Sequence, residues 1–266
     1  MIRVELAKQA RRVRTWVSLG ALTVIPIIAT IANKLNPRDD GGPVNGGIQR
    51  FARSGGLNDA LTALFFMSPF FLVVVASVFA GDTVAGEANW GTLRYLLLRP
   101  VRRSRLLASK LAVAGLMALA ATLVIVVTGL VAGTIAFGWH PVRAGLFEIS
   151  AASGSLRLAL AAGYVAWGLV GVVSFAFLLS TLTDVPAGAF GGAIGLAIAS
   201  QILDNFDSIG SIRSVLPTHY WQAWTRLFVP GASTTDMWRG LLLQVPYALV
   251  FGALALWHFQ RKDILS

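Results

Sequence analysis

The sequence has no cysteine and few charged residues. Of its 266 residues, 22 are Lys or Arg and 12 are Asp or Glu, so 13% are charged while 56% are hydrophobic. The missing cysteine excludes disulfides and thiolate chemistry. Soluble domains carry roughly 25% charged residues, and a chain of this length cannot cover a water-facing surface with so few. We therefore expect lipid to surround most of the protein.

A second absence concerns ATP. A P-loop requires Gly-Lys followed by Ser or Thr, because the lysine contacts phosphate and the hydroxyl binds Mg²⁺. Lys8, Lys34, Lys110 and Lys262 are the four lysines of the chain, and they follow Ala, Asn, Ser and Arg. The chain therefore lacks this route to ATP hydrolysis, and we expect no cofactor in it.

Long apolar runs predict the fold. A helix needs about 20 mostly apolar residues to cross the hydrocarbon layer, and lipid tolerates no unpaired backbone. The runs lack the alternation of a membrane β-barrel. The sequence therefore predicts an all-α membrane protein with one transmembrane domain over residues 1–266 and six transmembrane helices. The predicted spans are residues 16–35, 61–80, 111–139, 158–183, 185–203 and 240–260.

Residues 1–15 predict an amphipathic helix on the membrane surface that leads into the first span. Apolar side chains recur every three or four positions, and basic side chains occupy the other faces. The apolar positions are Ile2, Leu6, Ala10, Val13 and Val17. A cleaved signal peptide is the alternative, but the basic stretch includes Glu5 and the small-residue pattern near Ala32 is weak.

Two segments differ from the spans in composition. Residues 36–60 are rich in Gly, Pro, Asn and Asp, which predicts an irregular loop. Residues 204–239 predict an interfacial or re-entrant segment on the outer side, because amphipathic aromatic side chains prefer the headgroup layer. Its aromatic residues, at helical spacing, are Tyr220, Trp221, Trp224 and Phe228.

The distribution of basic residues predicts the orientation. Thirteen of the 22 Lys and Arg lie in residues 1–15, 82–110 and 261–266, and the other nine lie in segments that are longer together. Basic residues are held on the cytoplasmic side. We therefore expect a multi-pass protein of the cell membrane with both termini in the cytoplasm. The net charge of +10 then reflects the flanks of the spans, and a nucleic-acid partner is not expected.

The cytoplasmic loop at residues 82–110 is the most informative segment. Residues 91–98 predict a short apolar helix that ends before Pro100, because proline disfavours helix in the residue before it. Basic residues follow up to Lys110. With Glu87 protruding beside it, this short helix suits docking to a partner protein. The alternative is a charged loop that lies against anionic lipids.

The residues of this loop resemble those of the ABC-2 type permease family, the membrane subunits of ABC exporters. In that family Glu, Gly-Thr-Leu, Pro, Arg and Lys recur at similar separations in the loop between the second and third spans. The matching residues are Glu87, Gly91, Thr92, Leu93, Pro100, Arg103 and Lys110. The amphipathic start, the six spans and the basic tail agree with the same resemblance.

The resemblance implies a function and a set of partners. The loop would be a coupling helix that contacts a separate ATPase subunit, and two such subunits would bind ATP and Mg. They would drive efflux of a drug, lipid or other amphiphile through this chain and a second permease chain, identical or homologous. The contact residues implied are Glu87, Gly91, Thr92 and Leu93, with Arg94 and Tyr95 beside them.

Small residues in the fifth span satisfy the pattern that lets helix backbones approach closely. They are Gly188 with Gly192 and Gly191 with Gly195. They could pack within the chain or against a second copy, and the resemblance favours a dimer contact. The polar side chains that could line a path or simply join helices are Ser68, Ser77, Thr122, Thr128, Ser174 and Asn205.

Two other function classes remain as alternatives. A secondary transporter usually carries an ionisable residue at mid-depth, and the central thirds of the six runs contain none. An intramembrane enzyme needs a nucleophile beside a base, but Ser233, the candidate partner of His258, lies in a polar loop. The other histidines, His140 and His219, have no second ligand at metal spacing. We therefore expect neither a catalytic residue nor a metal site.

Overall fold

The computed structural model describes residues 2–35, 42–91, 102–144 and 147–261. This part of the chain is mostly helical, and six of its helices are long and apolar enough to cross a membrane, which confirms the predicted fold class. The six are Val13–Leu35, Gly56–Asn89, Arg103–Phe137, Ala151–Leu182, Pro186–Asp204 and Thr235–Arg261. Each predicted span falls on one of them, as expected for a multi-pass membrane protein.

The first half of the chain consists of helices joined by short turns where it is described. Its elements are α1 (Ile2–Ala10), α2 (Val13–Leu35), α3 (Gly42–Arg53), α4 (Gly56–Met67), a π-helical turn (Ser68–Leu72), α5 (Val73–Asn89) and α6 (Arg103–Phe137). The prediction of an irregular loop over residues 36–60 is wrong from residue 42 onward. Glycine lowers helix propensity, but α3 packs against α4 and this contact stabilises the helix.

The second half contains the only strands in the described part of the chain. The elements are β1 (Val142–Ala144), β2 (Phe147–Ile149), α7 (Ala151–Gly168), α8 (Val170–Leu182), α9 (Pro186–Asp204), two 3₁₀ segments (Asp207–Val215 and Ala223–Phe228) and α10 (Thr235–Arg261). The strands pair antiparallel, with Val142 opposite Ile149. Residues 183–185 alone separate α8 from α9, which agrees with the predicted short turn at Asp184.

Several helices are longer than a membrane crossing. Helix α6 has 35 residues, so at 1.5 Å per residue it is about 52 Å long, whereas the hydrocarbon layer is about 30 Å thick. The continuous helix Gly56–Asn89 has 34 residues and contains Pro69 within its π-helical turn. Proline removes a backbone donor, and a π-turn accommodates that loss without ending the helix. The helix ends therefore extend beyond the membrane.

The helices form one bundle. Helix α4 packs along α6, α5 packs along α8 and α9, α8 packs against α10, and α2 lies on α6. The N-terminal end of the bundle carries α1, the end of α5 and the start of α6. The opposite end, called the hairpin end below, carries α3, the strands and the 3₁₀ segments. The Ser180 hydroxyl accepts hydrogen bonds from the backbone N–H groups of Val84 (3.0 Å) and Ala85 (2.9 Å), which ties α8 to the end of α5.

Three aromatic side chains of the segment 204–239 face the protein. Trp221, Trp224 and Phe228 are buried, and the Trp224 ring meets the Phe65 ring edge-on at 6.5 Å. The predicted position of the segment, in the outer interface or dipping into it, stays a prediction. Aromatic surface gains more from burial against α4 than from a half-polar interface.

The irregular backbone of this segment is hydrogen-bonded by side chains of the spans. The Tyr164 hydroxyl of α7 donates to the Tyr220 carbonyl at 2.7 Å, and the Gln244 amide of α10 donates to the Pro217 carbonyl at 3.0 Å. Non-helical backbone is tolerated at membrane depth only where protein satisfies it. These contacts agree with a re-entrant segment, the depth of which remains a prediction.

Removing the Tyr164 hydroxyl tests this arrangement. We expect Tyr164→Phe to lower the free energy of unfolding by about 1–2 kcal/mol, because it leaves the carbonyl of Tyr220 without its donor. Equilibrium unfolding in mixed micelles measures the change. Tyr220→Phe is the matched control, because the structure gives the Tyr220 hydroxyl no partner in the described residues. Equal stability of the two variants would contradict the contact.

Candidate functional site

Helix α1 is joined to the bundle through its polar face. Glu5 and Gln9, four residues apart on one face of the helix, are buried, whereas Ile2 and Val4 are exposed. The backbone carbonyl of Gln9, in the last turn of α1, accepts a hydrogen bond from the Thr15 hydroxyl at 2.7 Å. Such a bond satisfies one of the unpaired carbonyls at a helix end. Helix α1 is therefore fixed to the start of α2, with Leu6 packed partly against the core and Ile2 and Val4 exposed.

Lys110 is the buried centre of the N-terminal end. Its side chain is 2% exposed, and its ammonium Nζ lies 2.7 Å from Glu87 Oε1, 3.2 Å from Glu5 Oε2 and 3.2 Å from the Thr83 carbonyl. An ammonium group has three donors, so all three are used. A buried cation is stable only when it is paired and hydrogen-bonded in this way.

The N-terminal segment supplies further cations to the carboxylates of α5. Lys8 pairs with Glu87, Arg12 pairs with Asp82, and the Arg14 guanidinium lies 2.5 Å from Asp82 Oδ1. Each carboxylate of α5 in this region therefore contacts two cations. The ion-pair cluster, as we call it, consists of Glu5, Lys8, Arg12, Arg14, Asp82, Glu87 and Lys110.

Glu87 does not protrude from the loop. Its side chain is 2% exposed and lies between Lys8 and Lys110, so the expectation of a protruding carboxylate is wrong. The physical reason is the packing of α1 and α6 against the end of α5, which places the ammonium groups of Lys8 and Lys110 where the sequence suggests open solvent. Its role in binding a partner is untested and stays a prediction.

Helix α5 ends in an exposed turn. Gly91 has φ 65°, a left-handed conformation that glycine adopts freely, and its N–H donates to the Ala88 carbonyl at 2.9 Å, a pattern typical of helix C-termini. Gly91 therefore lies in a turn and not in the predicted helix over residues 91–98. Beside it, Trp90 is 75% exposed, so a large aromatic side chain stands at the start of the loop.

The remaining predicted contact residues lie outside the described part of the chain. They are Thr92, Leu93, Arg94 and Tyr95, and Pro100 of the family pattern lies outside it as well. The chain is described again from residue 102, and the Arg103 guanidinium donates to the Gln260 carbonyl at 3.3 Å. The described loop therefore starts at Trp90, and α6 begins at Arg103 within the predicted loop.

The cluster joins the two ends of the loop. Glu87 precedes the turn at Gly91, and Lys110 lies two turns inside α6, yet their charged groups are in contact. An ion pair of this kind transmits displacement between helices because breaking it leaves charges uncompensated in a buried site. The arrangement therefore ties the turn at Trp90 and Gly91 to α1, α5 and α6.

The four glycines of the fifth span lie on an exposed face of α9. A side chain at Gly191 or Gly195 would meet no atom within 4 Å, and one at Gly188 would meet Thr183 only at 3.8 Å. Gly192 differs, because a Cβ there would lie 2.8 Å from Leu179. Three of these positions are thus open to a second chain, and the dimer contact stays a prediction.

The remaining candidate residues do not form one site. Ser233 contacts Thr235 at the start of α10, whereas His258 lies near the end of that helix. His219 Nδ1 lies 2.5 Å from Asp204 Oδ1 near the hairpin end, and Asp204 also contacts Arg213 at 3.5 Å. The structure therefore does not bring Ser233 and His258 together.

The contacts of Glu5 and Asp82 were not predicted from the sequence. The cations of the N-terminal segment were assigned to the lipid surface, yet Lys8, Arg12 and Arg14 bind carboxylates. One signal was present: two acidic residues stand at the edge of the most basic loop. Such residues are rarely left buried and unpaired.

Comparison with known proteins gives one family. The model of a family described as "Protein of unknown function (DUF2705)" matches residues 47–265. The match includes the described end of α5, the start of α6 and five of the six candidate membrane helices. Among curated proteins, none matches the chain.

Proposed function

We propose, for a chain that belongs to the DUF2705 family, that it is the membrane-spanning permease subunit of an ATP-driven exporter. Separate nucleotide-binding subunits hydrolyse ATP and dock on the loop that begins at Trp90. Two permease chains and two ATPase subunits form the complex, which lies in the cell membrane with both termini in the cytoplasm. The cargo is a drug, a lipid or another amphiphile.

The observation that carries the proposal is the fixed, exposed turn at Trp90 and Gly91. Trp90 is 75% exposed, and tryptophan is enriched where partner proteins bind most strongly. The buried pair of Glu87 and Lys110 anchors this turn to α5 and α6. A docking element needs both an exposed anchor residue and a rigid base, and this end of the molecule offers both.

The positions of the buried charges agree with transport that is driven by ATP hydrolysis in a separate subunit. In the described residues, Glu5, Asp82, Glu87 and Lys110 are buried at the N-terminal end, and Asp59 is buried in the first turn of α4. None lies at mid-length of a span. Ion-coupled carriers usually need such a residue there, so a secondary transporter is the less favoured alternative.

Purification of the tagged full chain from its native membrane tests the proposal. We expect a P-loop ATPase to co-purify with it, and we expect Trp90→Ala to reduce the amount of that ATPase about thirtyfold, since truncating an interface hot spot costs roughly 2 kcal/mol or more. Quantitative mass spectrometry measures the ratio of ATPase to permease.

Trp238→Ala is the matched control for Trp90→Ala. Trp238 is also exposed but lies near the hairpin end, so we expect its loss to leave the ratio unchanged. Absence of a P-loop ATPase from the wild-type sample, or an undiminished ratio in Trp90→Ala, would overturn the proposal.

A further inference from the structure

A groove runs along the bundle between α2 and α6. It encloses about 530 Å³, which is within the range of sites that hold small ligands, roughly 300–1,000 Å³. The residues that define it here are Thr23, Thr30, Lys34, Thr128, Ala132 and Ile135. It is distinct from the ion-pair cluster, which lies at the other end of α2.

Small side chains of α6 form the floor of the groove. Thr128, Ala132 and Ala136 line it and are spaced four residues apart, so they share one face of α6. Val131 and Ile135 stand beside them and are exposed. Because the side chains of the floor are small and those at its edge are branched and apolar, a space remains between α2 and α6.

The hydroxyl groups of α2 in this groove are already used. Thr23 donates to the Leu19 carbonyl at 2.9 Å, and the Thr30 hydroxyl lies 2.9 Å from the Pro26 carbonyl and 2.6 Å from Asp59 Oδ2. A ligand beside these groups therefore meets methyl groups and aliphatic side chains. The groove favours an apolar chain and not a sugar or a peptide.

The length of the groove matches one leaflet. Thr23 and Lys34 are eleven residues apart on α2, which corresponds to about 16 Å along the helix. This is about half of the roughly 30 Å hydrocarbon layer. Lys34, in the last turn of α2, then lies at the level where a lipid headgroup begins.

A free cation stands at the polar end of this groove. Lys34 is exposed and makes no ion pair with any residue of the described ranges. The carboxylate of Asp59 lies behind Thr30 and does not line the groove. An ammonium group at the headgroup level attracts anionic lipid, with about 1 kcal/mol for each basic residue near the surface.

We propose that this groove binds one acyl chain of an anionic phospholipid, with the headgroup phosphate at Lys34. The apolar floor holds the chain, and the ammonium group selects the charge of the headgroup. The site goes beyond the proposed export function and does not depend on it, because it needs neither the ATPase subunits nor the loop.

The lack of cysteine in the sequence permits a clean test. The full chain with Ala132→Cys as its single cysteine is labelled with bimane and placed in bilayers that contain phosphatidylglycerol or phosphatidylcholine with brominated acyl chains. We expect half-maximal quenching of the bimane label at a mole fraction of brominated phosphatidylglycerol about fivefold lower than that of brominated phosphatidylcholine. This difference corresponds to about 1 kcal/mol.

Two sets of variants control this experiment. Lys34→Gln is expected to abolish the fivefold preference, Lys34→Arg to keep it, and Arg239→Gln, at an exposed cation of α10, to leave it unchanged. A bimane label at Leu249→Cys, on the exposed side of α10, is expected to report no preference.

Three results would overturn the lipid site. One is equal quenching by the two lipids at Ala132→Cys, and another is a preference that Leu249→Cys shares, which means ordinary annular lipid. The third is the absence of quenching, which means that a protein segment or a second copy of the chain covers the groove.

Discussion

Replacing Lys110 by methionine is expected to lower the free energy of unfolding by about 3–5 kcal/mol, because it leaves buried charges uncompensated. Methionine keeps most of the side-chain volume but removes the ammonium group that contacts Glu5, Glu87 and the Thr83 carbonyl. Glu87 keeps its ion pair with Lys8, whereas Glu5 loses the ammonium group that it contacts. Equilibrium unfolding in mixed micelles measures the change.

Arg105→Met is the matched control for this variant. Arg105 lies one turn earlier on α6 and is exposed, and exposed charges contribute about 0–1 kcal/mol.

A second test combines Lys110→Met with Glu87→Gln. We expect the double variant to lose less than the sum of the single losses, because the two residues interact directly. Equal losses in Lys110→Met and Arg105→Met would show that the cluster does not stabilise the protein.

The helical fold could be predicted because lipid leaves the backbone few choices. A long apolar run must form a helix in the membrane, whatever its neighbours are, so the count of six follows from hydropathy alone. The helix ends could not be predicted in this way. Helix α4 starts at Gly56 and α6 starts at Arg103, because both continue beyond the hydrocarbon layer, where hydropathy no longer reports on structure.

The ion-pair cluster was beyond the reach of sequence patterns. Its contacts join residues far apart in the chain, such as Glu5 and Lys110, and the contact depends on where α1 lies relative to α6. Helical periodicity identified α1 and placed its basic side chains on the faces away from the apolar positions, but it did not indicate where Glu5 points. In the structure Glu5 faces the bundle and contacts Lys110.

The aromatic residues of the segment 204–239 illustrate the same limit. Composition places tryptophan at a membrane interface, and this preference is real for an isolated helix. The preference does not indicate which protein surface the ring contacts, such as α4 for Trp224. The carbonyls that this fold leaves unpaired are then satisfied by Tyr164 and Gln244, which no local pattern indicates.

The cluster also bears on how the proposed exporter works. If an ATPase subunit pushes on the turn at Trp90, the displacement reaches Glu87 within one helical turn. From Glu87 it passes to α6 through Lys110 and to α1 through Lys8. Three helices would then move together, since separating any two of them leaves a buried charge without its partner. The proposal thus assigns the cluster a mechanical role in addition to its role in stability.

Gly133→Leu is expected to lower the free energy of unfolding by about 3 kcal/mol, because it overpacks the contact between α4 and α6. A Cβ at Gly133 would lie 2.6 Å from the Asp59 Cβ and 3.0 Å from the Gly56 Cα. The latter is backbone, so no side-chain rotation relieves the clash. Gly129 and Gly133 show the same spacing of small residues as α9, and here the close helix partner lies within the chain.

Gly115→Leu is the control that separates packing from helix propensity. Gly115 lies on the same helix, and a Cβ there would meet nothing within 4 Å. Leucine favours helix over glycine by roughly 0.8 kcal/mol, so we expect this variant to be as stable as the wild type or slightly more so. Unfolding in mixed micelles compares the two. If Gly133→Leu matches Gly115→Leu, then α4 and α6 are farther apart than the structure places them, and Asp59 and Thr30, which meet at the edge of this contact, would not be held together by it.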